Sequence, residues 1–72
     1  MTNTNVRTEK LLIKVREQSD YTYKIYKGII EQQQAGKLTD NKVYQYERAK
    51  LIGMLDMLDI LEIDRKEFNW IF

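Results

Sequence analysis

Cysteine, histidine and proline are absent from this 72-residue chain, and glycine occurs only three times. Without cysteine there is no disulfide framework and no thiol nucleophile. Without histidine the commonest general base is missing, and a zinc or copper site would have to be built from carboxylates alone. The glycines, Gly28, Gly36 and Gly53, stand apart, so no Gly-rich loop is available to cradle a phosphate. No apolar run approaches the roughly 18 residues of a membrane span. The polar start, Met1 to Asn5, lacks the apolar stretch of a secretory signal. Charge of one sign is lacking too. Twelve Lys and Arg against 11 Asp and Glu leave a net charge of +1, too little to favour bulk nucleic acid or an anionic membrane. These absences predict a protein that is not an enzyme, holds no metal or cofactor, has no membrane partner and resides by default in the cytoplasm.

What is present points to helices. A chain with so few breakers, and with no linker, repeat or composition shift, reads as a single helical domain over residues 1–72. The first helix is expected from Thr4 or Asn5, either of which can cap it, to Gln34 or Ala35. Leu11, Val15, Thr22, Tyr26 and Ile29 form its apolar stripe, widened by Leu12, Ser19, Tyr23 and Ile30 on one side and Ile25 on the other. Ser19 and Thr22 weaken the middle of that stripe. They mark either a bend, with a break near Ser19–Asp20, or a place where another backbone comes close. Gly36 is the expected stop. Leu38 is positioned as a hydrophobic staple before a cap at Thr39.

The second helix is expected from about Asp40 to Ile63. Its seam is Tyr44, Leu51, Leu55, Leu58 and Leu61, flanked by Val43, Met54 and Met57. A short connection makes it antiparallel to the first. Ile52, Ile60 and Ile63 fall off the seam, which calls for a third helix or a second chain. Asp64 and Glu67 have the spacing of a capping box for a short third helix. The predicted architecture is therefore all-α: an antiparallel hairpin of two long helices with a short C-terminal helix, completed by dimerisation into a bundle. Gly28 and Gly53 fall inside helices, where glycine costs about 1 kcal/mol relative to alanine. Close helix approach is the expected reason. Gly28 should face the residues near 47 and Gly53 those near 22, and an exposed Gly53 with nothing near it would count against the hairpin.

Three groups of residues are candidates for function. The first is apolar and acidic: Ile52, Asp56, Asp59, Ile60 and Ile63, joined by the aromatic end Phe68, Trp70 and Phe72. Mixed apolar and acidic surface suits a protein partner, and Trp and Phe are common interface anchors. The second is Arg7, Lys10, Lys14, Tyr21 and Lys24 along one side of the first helix, where lysines can meet phosphates and a ring can stack on a base. Glu17 interrupts that side, and a solvated mixed-charge face is the plainer reading. No helix-turn-helix pattern accompanies it. The third is the acidic run Asp56, Asp59, Glu62 and Asp64 as a hard-cation site. Calcium wants six to eight oxygens and no EF-hand loop is present, so no metal is expected there. In general style, short, Pro-free and containing Tyr, Gln and Ile, the chain resembles small proteins encoded by phages and mobile elements of Gram-positive bacteria, though no motif carries the likeness. The leading expectation is a non-enzymatic protein-interaction module, a regulator, inhibitor or assembly adaptor. The alternatives are a small DNA- or RNA-binding regulator and a structural homo-oligomer.

Overall fold

The computed structural model describes the chain from Thr2 onward and its side chains from Val6. Two long α-helices pack side by side, α1 over Thr2–Gln34 and α2 over Lys42–Ile60, and a 3-10 helix, η1, follows over Lys66–Ile71. No strand occurs among the described residues. At 1.5 Å per residue α1 is about 50 Å long, and it sets the 53 Å length of the molecule.

α1 is continuous through Ser19 and Asp20, so the expected break is absent. The helix already includes Thr4 and Asn5. The capping role assigned to their side chains lies outside the described residues. At the other end Gly36 stops α1 as expected. Its φ of 75° is left-handed. The Gly36 N–H donates to the Gln33 carbonyl (3.0 Å) and the Lys37 N–H to that of Gln32 (2.9 Å), the paired bonds of a Schellman cap. Leu38 is not a staple: it is fully exposed, with a relative accessibility of 102%. Asp40 makes the local start of α2 instead, its carboxylate accepting the Lys42 N–H at 2.9 Å.

α2 ends at Ile60, three residues before the expected Ile63. The same cap is built there without glycine. Glu62 takes φ 58°, its N–H donates to Asp59 (3.1 Å), and the Ile63 N–H donates to Leu58 (2.8 Å). Ile63 thereby turns inward against the core. The capping box at η1 forms by half. Asp64 accepts the Lys66 N–H at 2.9 Å, but Glu67 reaches across to Arg16 rather than back to its own helix.

The core is small: Val15 of α1, Leu51, Leu55 and Leu58 of α2, and Phe68 and Ile71 of η1. Burying each such side chain contributes about 2 kcal/mol before chain entropy is counted. Three departures from the expected packing stand out. Leu61, read as part of the seam, is exposed. Glu47, not read as core, is buried at 7% accessibility. Gly53 is exposed and an added Cβ would meet nothing within 4 Å, as at Gly28. The close-approach reading of both glycines is therefore wrong, and the hairpin stands on leucines instead. The register differs as well. Gln18 bonds Glu47, and the rings of Tyr26 and Tyr44 meet at 5.7 Å. α2 is slid by more than a turn from the expected opposition, because the non-helical connection of residues 35–41 lets it start beside Tyr26, about two turns before the end of α1.

Candidate functional site

Ser19 and Thr22, the weak middle of the α1 stripe, hold the two ends of the fold against α1. Ser19 Oγ accepts the indole N–H of Trp70 at 2.9 Å. Trp70 packs edge-on to Tyr23 (5.0 Å between centroids) and near Tyr26 (6.1 Å). Arg16 donates from Nε and a terminal nitrogen to the two oxygens of Glu67 at 3.1 and 3.0 Å, a two-pronged clamp on η1. The clamp is exposed and solvent-screened, so it fixes position more than stability. On the α2 side, Gln18 donates to Thr22 Oγ1 (3.1 Å) and to the Glu47 carboxylate (2.9 Å), while the fully buried Thr22 hydroxyl donates to the Gln18 carbonyl (2.7 Å). Lys50 completes this polar knot at 3.0 Å from Glu47. The bonds from Gln18 and then Lys50 hold the Glu47 carboxyl below its usual value. Glu47 in turn raises Lys50, whose charge also feels the nearby Tyr46 and Tyr21 phenols.

An open cleft of about 300 Å³ lies between Arg16, Asp20, Tyr23 and η1. Its Ser19 hydroxyl is engaged by Trp70 and hydrogen-bonds neither of the cleft's carboxylates, Asp20 and Glu67. Arg16 and Glu67 satisfy one another. The arrangement offers no nucleophile–base pair of the kind acyl or phosphoryl transfer uses. No group of three or more metal-ligating side chains occurs among the described residues.

The predicted apolar–acidic group does not form one surface. Phe68 is buried in the chain's own core, and Trp70, Ile52 and Ile63 are half-buried against it. Phe72 is exposed, with the Arg65 guanidinium 4.9 Å over its ring, and Arg65 also meets Asp59 at 3.1 Å. Asp56 and Ile60 face solvent, Ile60 at 80% accessibility. The Phe and Trp at the chain end thus supply most of the third element that the off-seam isoleucines called for.

η1 covers only one side of the two-helix layer, the side of Arg16, Ser19 and Tyr23. The outer side of α2 stays bare. There Val43, Tyr46, Lys50, Gly53, Met57 and Ile60 follow at alternating steps of three and four residues, and the four large apolar members are all more than half exposed. Leu61 extends this strip toward an apolar dimple against Arg7, Thr8 and Leu11. Sequence reasoning missed the strip. Lys50 and Gly53 interrupt its apolar signal, Leu61 reads as part of the inner seam, and Val43 and Met57 read as its flank. The other candidates, Arg7, Lys10, Lys14, Tyr21 and Lys24, are all exposed along the unbroken α1. Among the described residues no helix is long and apolar enough to cross a membrane. Compared with known proteins, the chain matches no family model, and no curated protein or solved structure matches it.

Proposed function

We propose that this protein is a non-enzymatic interaction module, a small regulator, inhibitor or adaptor that works by protein–protein contact, with the outer strip of α2 as its contact surface. The observation that carries the reading is the strip itself: large apolar side chains at helical spacing, more than half exposed, on a helix whose inner seam is already satisfied. Isolated exposed apolar residues are ordinary, but two pairs aligned on one helical line, Val43 with Tyr46 and Met57 with Ile60, suit a docking face. The shortage of reactive groups supports a binding role over catalysis.

The test is a tagged pull-down from nuclease-treated lysate of the source organism, with a folded Tyr46→Ser/Ile60→Lys variant as control. The expected result is a dominant protein partner retained by the native chain and lost by the variant. Equal capture by both would count against the strip as the contact surface.

A second reading has its own support. Arg7, Lys10, Lys14, Tyr21 and Lys24, all exposed, form a line along about 25 Å of continuous α1. A nucleic-acid affinity that falls steeply with salt, and falls further in Lys10→Ala/Lys14→Ala, would favour this reading.

A further inference from the structure

We propose that the occupant of the α2 strip is a second copy of this chain, seated antiparallel on the first about a two-fold axis near the middle of α2. The inference rests on the reading of that strip as an interface and names its partner. The alternation Val43, Tyr46, Lys50, Gly53, Met57, Ile60 is the 3-4 pattern by which one helix interlocks with another.

Charge sets the direction. Beside the strip the first half of α2 carries Lys42 and Lys50, the latter bridged by its own Glu47, while Arg48 lies on the far side of the helix. The second half carries Asp56 on the strip's flank, while Asp59 lies on the far side and is bridged by Arg65. Neither Lys42 nor Asp56 is ion-paired among the described residues. An antiparallel copy brings each basic half against an acidic half, and the two helix dipoles then oppose favourably. A parallel copy stacks like charge on like.

Size agrees. In the antiparallel register Val43 meets the partner's Ile60, Tyr46 meets the partner's Met57, and Lys50 meets the partner's Gly53. The open space over Gly53, where nothing lies within 4 Å of an added Cβ, receives the stem of Lys50. The ammonium stays bound to its own Glu47. A parallel copy would put Lys50 on Lys50 and leave a gap between the two Gly53. One lysine at such a position fixes register and orientation at some cost in stability.

The absence of cysteine makes the test direct. Sedimentation equilibrium of the native chain should give the dimer mass, and the exposed substitution Ile60→Lys should weaken association by about tenfold or more while circular dichroism shows the fold intact. Single-cysteine variants then read direction. Val43→Cys mixed with Ile60→Cys should form a disulfide-linked pair, and Val43→Cys alone should not. A native chain that remains monomeric at about 1 mM would overturn the proposal, and so would efficient self-linking of Val43→Cys. If the native chain is monomeric but Ile60→Lys still abolishes capture of a host protein, the self-association is wrong while the contact surface survives. A monomer whose strip variants lose no binding overturns both.

Discussion

Glu62 holds φ 58° with a side chain that faces solvent. A left-handed conformation costs a non-glycine residue roughly 1–2 kcal/mol, part of which glycine would return as unfolded-chain entropy. Glu62→Gly should therefore raise the free energy of unfolding by about 0.5–1 kcal/mol, read as a higher urea midpoint at unchanged slope. The helix interior offers the opposite exchange at Gly28, where an added methyl meets nothing. Gly28→Ala should gain about 1 kcal/mol, whereas Gly36→Ala, at φ 75°, should lose about the same. Glu47 has a pH signature. Its carboxyl is held below its ordinary value of 4.5 by Gln18 and Lys50. A depressed carboxylate stabilises the fold fully above that value and loses its contribution as pH falls through the lowered one. Urea midpoints followed downward from pH 5 should thus fall more steeply for the native chain than for Glu47→Gln. Gly36 announced itself in the sequence, but Glu47 and Glu62 did not. Glu47 is a charged residue in a leucine seam, legible only once Gln18 and Lys50 are seen around it. Glu62 lacks the glycine that usually marks its conformation, so α2 was expected to run on to Ile63.

The elements themselves were legible where a single physical signal ruled. The absence of breakers gave two long helices, Gly36 gave the stop, and Leu51, Leu55 and Leu58 gave the inner seam. Register was not legible, because nothing in a helical period says how far a flexible connection lets one helix slide. Nor was the 3-10 geometry of η1, whose Asp64 and Glu67 fitted an α-helical capping box until Arg16 drew Glu67 away. η1 is held by Phe68 and Ile71 in the core and by the Trp70–Ser19 hydrogen bond. Phe68→Ala should cost about 3 kcal/mol or more. Ser19→Ala should cost about 1 kcal/mol, and chemical denaturation separates the two. The candidate site divided along the same line. The exposed cations of α1 lay where the period put them, while half of the apolar–acidic group was drawn into the core by the unexpected fit of the chain end.

At the scale of the molecule, α1 is far longer than the partners that cover it. Its middle carries the contacts to α2 and η1, through Val15, Gln18, Ser19 and Thr22. Its last turns, from Glu31 to Gln34, are exposed. Hydrogen exchange should therefore be slowest around Val15 to Thr22 and Leu51 to Leu58 and fast in the final turns of α1. Equal protection along the whole of α1 would show those turns to be covered in solution.

The aromatic packing that docks the chain end has an optical consequence. Trp70 is the one tryptophan of the chain, and the rings of Tyr23 and Tyr26 stand 5.0 and 6.1 Å from it. Light absorbed by those tyrosines will pass to the indole and leave as tryptophan emission. Whatever detaches η1, whether heat, acid or a competing partner, will separate donor from acceptor and return the emission to tyrosine, so the protein carries its own luminescent gauge of whether η1 is in place.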